Sequence, residues 1–157
     1  MKRLNSGCRL PSFSLPNQNG KIVDINELRN GKNLVLYFYP KDDTPVCTKE
    51  ACGFRNNYSQ FIAYNCEVVG ISADSPKSHA NFAKKHSLPF TLLSDVDNKV
   101  RNLLGVPRDF LGLVSGRYTY VINKDGVVVD IINSTLNAST HIKHSLKALE
   151  DEQSTNY

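Results

Sequence analysis

An α/β fold with a mixed central sheet and helices on both faces follows from three features of the sequence. Residues 33–39 (Asn-Leu-Val-Leu-Tyr-Phe-Tyr) are apolar at nearly every position and residues 66–73 (Cys-Glu-Val-Val-Gly-Ile-Ser-Ala) read the same way, which marks strands covered on both faces. Residues 45–63 between them read as helical, so the three segments form a βαβ unit with parallel strands. Later, 118–123 and 127–132 are β-rich runs joined by Lys124-Asp125-Gly126, a hairpin signal.

The other elements follow in order. Residues 76–86 predict a helix, 91–93 a short strand, 98–104 a helix stopped by Gly105, and 138–149 a closing helix. A βαβ unit followed by a hairpin and a helix is the order of a thioredoxin-like fold, although pattern alone admits other α/β folds. No repeat or low-complexity linker divides the chain, so 1–157 is read as one domain with 151–157 a loose tail.

Bulk composition narrows the function. A chain of 157 residues buries roughly 70% of its unfolded surface and needs no staples. With 40% hydrophobic and 22% charged residues, it has no run near the ~18 apolar residues of a membrane span. The start, Met1-Lys2-Arg3-Leu4-Asn5-Ser6-Gly7-Cys8, has no apolar run behind its charges, and a cytoplasmic protein is expected. The net charge of +4 is scattered singly and in pairs such as Lys84-Lys85, which gives nucleic acid no basic stripe. Four cysteines in a reducing compartment direct attention to thiol chemistry.

That chemistry concentrates where the first long strand meets the following helix. Thr44 suits the N-cap and Pro45 the first helical position, which puts Cys47 in the first turn. A capping box carries an acid three residues after the cap; here that slot holds a cysteine, so its pKa is expected below the free value of ~8.5. Cys47, Ala51, Phe54, Tyr58 and Phe61 form one apolar stripe, and Cys52 lies off it. In an intact helix, residues five apart have Cα atoms roughly 8 to 9 Å distant, beyond the ~7 Å reach of a disulfide. Bridging Cys47 to Cys52 therefore requires unwinding, which Gly53 eases by about 1 kcal/mol.

Plainer readings compete. A cysteine is often simple packing, and Cys66, opening a strand, and Cys8, in an irregular segment, are assigned that structural role. A C-x4-C pair is at most half a zinc site, and no second pair follows at ligand spacing, so no metal is expected. The C-x-x-C of a general disulfide oxidoreductase is absent. His141 and His144, and likewise His79 and His86, are assigned to solvated helix faces.

The segment Pro40-x-x-x-Thr44-x-x-Cys47, at a strand-to-helix junction, resembles the active-site signature of peroxiredoxins. The resemblance extends over nearly the whole chain, through Leu10-Pro11-Ser12-Phe13-Ser14-Leu15-Pro16-Asn17-Gln18-Asn19-Gly20, Gly105-Val106-Pro107, Arg117-Tyr118-Thr119-Tyr120-Val121-Ile122 and Lys124-Asp125-Gly126. It departs at Ser12-Phe13-Ser14 and at Cys8, neither of them catalytic. It implies a thioredoxin-like fold with an N-terminal β-hairpin extension and a thiol-dependent peroxidase without metal or organic cofactor. By the same resemblance Cys47 is the peroxidatic thiol, Thr44 the hydroxyl contacting sulfur and peroxide, Pro40 a shield, and Arg117, rather than Arg101 or Arg108, the cation of the pocket.

Cys52, five residues on, resembles the resolving cysteine of the Q-type branch, also called bacterioferritin comigratory protein, and Arg108-Asp109-Phe110-Leu111-Gly112-Leu113 is similar to cyanobacterial and plastid members. Implied are an internal Cys47–Cys52 disulfide, hydrogen peroxide and organic hydroperoxides as substrates, thioredoxin or a similar dithiol as reductant, and a monomer. Phe110, Leu111 and Leu113 are expected to line an apolar entrance or a dimer contact. The rival from another class is a redox sensor or holdase using the same cysteine switch, which would oxidise once and not cycle.

Overall fold

The computed structural model describes residues 3–109, 114–115, 117–134 and 137–155. Its first elements are a hairpin, β1 (Ser14–Pro16) against β2 (Ile22–Asp24), and a short helix α1 (Ile25–Arg29) capped by the Asp24 carboxylate. β3 (Asn33–Phe38) leads through α2 (Pro45–Asn56) and α3 (Tyr58–Ala63) to β4 (Cys66–Ser72), and α4 (Pro76–His86) leads on to β5 (Thr91–Ser94). After α5 (Lys99–Leu103) come a small ribbon, β6 (Arg108–Asp109) with β7 (Val114–Ser115), then β8 (Tyr118–Ile122), β9 (Val128–Asn133) and α6 (Ala138–Thr155).

The main sheet runs β5-β4-β3-β8-β9. β3 is central, parallel to β4 from Asn33↔Cys66 to Phe38↔Ile71 and antiparallel to β8 from Leu34↔Ile122 to Phe38↔Tyr118. This is the mixed, thioredoxin-like arrangement expected from the sequence. Because side chains alternate along a strand, β3 feeds two cores. Leu34, Leu36 and Phe38 join Tyr118, Tyr120, Ile122 and the N-terminal Phe13 and Leu15 on one face. Val35, Tyr37 and Tyr39 join Val121, Cys47, Phe54 and Ile142 on the other. Each such side chain, fully buried, contributes about 1.5 to 3 kcal/mol. Counting back from Val121 by twos places Thr119 and Arg117 on that second face, the face covered by α2 and α6.

Two expectations are corrected. Residues 45–63 do not form one helix: the chain breaks at Asn57 (φ −109, ψ 11), whose side-chain amide donates to the Gly53 carbonyl at 2.8 Å. Nor is the stretch after 150 loose through its described residues, since α6 continues to Thr155. A Lys147–Asp151 pair at 3.0 Å, an Asn123–Glu152 hydrogen bond at 3.1 Å and the buried Leu149 hold that extension. Phe110, Leu111 and Leu113 lie outside the described residues. No described helix is long and apolar enough to cross a membrane.

Candidate active site

α2 begins as its sequence dictates, with Thr44 extended at the N-cap (φ −90, ψ 156) and Pro45 in the first turn. The Thr44 hydroxyl, however, donates to the Lys41 carbonyl at 2.9 Å and makes no side-chain cap. With no acidic residue in that turn either, the amide N–H groups around Cys47 keep their capacity to hold an anion. The expected Thr44–sulfur contact is not among the described hydrogen bonds; the hydroxyl instead pins the loop that carries half-buried Pro40 into the helix. Cys47 is 1% exposed, so a peroxide has only a narrow approach to it.

Arg117, immediately before β8, reaches this sulfur. Phe38 pairs with Tyr118, so the residue before β8 lies beside the end of β3, where the chain turns towards α2. Arg117 Nη2 donates to Cys47 Sγ at 3.2 Å, and Nη1 donates to Glu50 Oε1 at 2.8 Å. Burying an anionic sulfur is costly unless it is paired, and the guanidinium supplies that pairing. Burial works against the charge of Arg117, but Glu50 and then Cys47 outweigh it and hold the guanidinium above its ordinary value. Arg101, the rival by charge, stacks over Phe38 at 5.3 Å on the opposite face of the sheet.

Glu50 and His141 complete the cluster, and sequence reasoning missed both. Glu50 is wholly buried, and burial pushes its carboxyl up to about 7 against the pull of Arg117. His141, expected on a solvated face, is buried against Thr119 and the Ser134 carbonyl, each at 2.7 Å, and burial pushes it down to about 4. A usable signal existed for Glu50: it stands three residues after Cys47, between the stripe positions 47 and 51. For His141 the chain offered none beyond its place on an amphipathic helix.

Cys52 lies half-buried one helical turn beyond Cys47, and all four cysteines are free thiols. Gly53 has a packing reason as well as a flexible backbone, because a Cβ there would stand 2.8 Å from Ile142 Cδ1 of α6. Cys66 is buried in β4, where burial raises its thiol far above the usual range and leaves it inert; Cys8 is exposed. His79 is likewise buried rather than solvated, its Nδ1 at 2.7 Å from Asp42 Oδ2 and its Nε2 at 3.0 Å from the Leu93 carbonyl. With Asp74 these residues are the one trio spaced to hold a metal among the described residues, but Tyr39, Ser72 and Ser78 already occupy the carboxylates.

The chain is similar to known proteins over most of its length. The AhpC/TSA family matches residues 6–131. Peroxiredoxin Q, chloroplastic, of Populus jackii is 50% identical over 148 residues, covering 94% of this chain and 69% of the relative. Peroxidoxin BcpB from Mycobacterium tuberculosis superposes with a TM-score of 0.87 at 35% identity, over 95% of this chain and 98% of its own. Bacterioferritin comigratory protein from Xanthomonas campestris, described for its alkyl peroxide reduction activity, gives 0.80 at 30% identity, over 89% and 91%.

Proposed function

The chain belongs to the AhpC/TSA family as a peroxiredoxin of the Q type, a thiol peroxidase, and from that premise we propose how its own residues carry the reaction. Cys47, as thiolate, attacks the terminal oxygen of ROOH; the O–O bond breaks, Cys47 becomes a sulfenic acid, and RO⁻ takes a proton to leave as ROH. Arg117 stabilises the thiolate and the charge that develops on the leaving oxygen. The contact that supports this most directly is Arg117 Nη2 on Cys47 Sγ at 3.2 Å. Thr44 and Pro40 shape the turn that presents the sulfur.

Cys52 then attacks the sulfenic sulfur, releasing water and forming the Cys47–Cys52 disulfide. Both cysteines lie on α2, so its first turns unwind for this step. A dithiol of the thioredoxin kind reduces the disulfide, being itself oxidised, and the helix re-forms. Substrates are hydrogen peroxide and organic hydroperoxides, in line with the alkyl peroxide activity named for the Xanthomonas relative. We read the working unit as a monomer. A reducing compartment suits four free thiols, whether the cytoplasm expected from the sequence or a plastid such as the chloroplast named for the plant relatives.

Steady-state peroxide consumption with a thioredoxin system tests the scheme. Cys47→Ser abolishes it, and Cys52→Ser permits one oxidation but no thioredoxin-driven cycling. Substantial turnover by the first variant removes Cys47 from its role. Full cycling by the second removes Cys52, and a single stoichiometric oxidation of the unaltered chain would favour a sensor.

A further inference from the structure

A second buried polar cluster stands beside the turn that presents Cys47, and the chemistry at the sulfur does not use it. His79 of α4 is fully buried, and both of its ring nitrogens face oxygen: Nδ1 lies 2.7 Å from Asp42 Oδ2, and Nε2 lies 3.0 Å from the Leu93 carbonyl. A carbonyl only accepts, so Nε2 carries a proton. Asp42 is buried too, and its carboxylate collects further donors, the Ser78 hydroxyl on Oδ2 at 2.8 Å and the Tyr39 hydroxyl on Oδ1 at 2.6 Å. The Tyr39 oxygen is also 3.3 Å from Nδ1, but its proton goes to the much nearer carboxylate. An ionised carboxylate only accepts, so Nδ1 donates as well and the ring is an imidazolium.

The backbone around Asp42 is held to match. Its N–H donates to Asp74 Oδ2 at 2.8 Å, and the Ser72 hydroxyl donates to that same oxygen at 2.6 Å. Asp43, the next residue, is left-handed (φ 63), a conformation that a residue with a side chain keeps only where its surroundings enforce it. Thr44 follows as the N-cap of α2, its hydroxyl on the Lys41 carbonyl, and Cys47 stands three residues on. We propose that His79 and Asp42 form a buried ion pair that holds residues 40–44 in the conformation from which α2 presents Cys47 to peroxide. The proposal rests on the peroxidase reading given above, and it makes both of them positioning residues for the first oxidation. Removing either partner strands the other charge in the interior, and the loop then yields. Lys85, at 3.0 Å from Asp43, also ties α4 to this loop, but as an exposed pair it is screened by water and contributes little.

Nitrogen NMR of the reduced, unaltered protein reads the pair without any turnover: His79 should carry a proton on each ring nitrogen, and a bare Nδ1 overturns the proposal. Stopped-flow oxidation of Cys47 by hydrogen peroxide reads the positioning. His79→Gln, whose longer amide takes the place of Nε2 and leaves Asp42 without its donor, should lose about tenfold to a hundredfold in the second-order constant. His79→Asn, whose amide takes the place of Nδ1 and can still donate to Asp42, should recover about threefold or more of that loss, and Lys85→Ala should stay within about twofold of the unaltered protein. Alkylation of Cys47 by iodoacetamide needs the thiolate but not the geometry of peroxide attack, so it should change by less than about twofold in all three variants. A His79→Gln constant within about twofold of the unaltered one, a His79→Asn no better than His79→Gln, or peroxide and alkylation constants that fall together overturns the proposal. Should His79→Gln fail to fold, Asp42→Asn is held to the same tenfold loss against peroxide with alkylation spared. An unaltered protein that consumes no peroxide would overturn the peroxidase reading, while the nitrogen spectrum would still decide the ion pair.

Discussion

Arg117 presents one planar guanidinium to Cys47 Sγ at 3.2 Å and to Glu50 Oε1 at 2.8 Å. A lysine offers a single point of charge on a flexible stem and cannot hold both at once. Loss of one charge-assisted hydrogen bond, about 1.5 to 3 kcal/mol, corresponds to about tenfold to a hundredfold in rate. Arg117→Lys should therefore lose that much in the second-order rate constant with hydrogen peroxide, measured by stopped flow; an unchanged constant would detach Arg117 from the chemistry. At this scale the sequence was readable where a residue's role follows from its neighbours along the chain. Cys47 announced itself through Thr44 and Pro45, whereas Arg117 needed the family resemblance to set it apart from Arg101 and Arg108. Glu50 and His141 stayed hidden because acids and histidines on amphipathic helices usually face water, and their burial depends on a partner about 90 positions away.

At the scale of the helix, α2 has to be firm enough to present Cys47 and loose enough to unwind as far as Cys52. Gly53 serves both demands. Its backbone freedom weakens the helix, and its missing Cβ lets Ile142 of α6 pack against it. The two effects predict opposite signs for Gly53→Ala. Helix propensity alone would stabilise the protein by about 1 kcal/mol. A Cβ 2.8 Å from Ile142 Cδ1 overpacks the contact and costs about 1 to 3 kcal/mol. We expect net destabilisation in urea unfolding, largely relieved by adding Ile142→Val, which removes the clashing methyl; a stabilised single variant would show that α6 yields easily. Strand and helix positions were legible because buried strands and amphipathic helices carry period in their residues. The break at Asn57 was not, since the apolar stripe of Phe54, Tyr58 and Phe61 runs on across it.

At the scale of the molecule, the site draws on segments far apart in sequence: Cys47 and Glu50 from α2, Arg117 from the approach to β8, and His141 from α6. The sheet brings them together, and the order of elements revealed the sheet but not which helix face would close over the second core. Stability against pH should report the closure. Glu50, raised from 4.5 to about 7, contributes stability that is full below about 4.5 and is lost as the pH rises through about 7. His141, lowered from 6.5 to about 4, contributes stability present above about 6.5 and lost as the pH falls through about 4. Between about 4.5 and about 6.5 the two slopes cancel, the proton sitting on histidine in the unfolded chain and on Glu50 in the folded one. Glu50→Gln removes one slope, so its stability relative to the parent should fall as the pH drops through that window; parallel unfolding curves would mean the pair is not coupled to folding. The claim on which the rest depends is that Cys47, held against Arg117, is the sulfur that takes oxygen from a peroxide. Reduced Cys52→Ser protein, given one equivalent of hydrogen peroxide and mapped by peptide mass spectrometry, tests it directly. One oxygen on Cys47 and none on Cys8 or Cys66 is the predicted outcome; oxygen on either of those instead, or uptake nowhere, would contradict it.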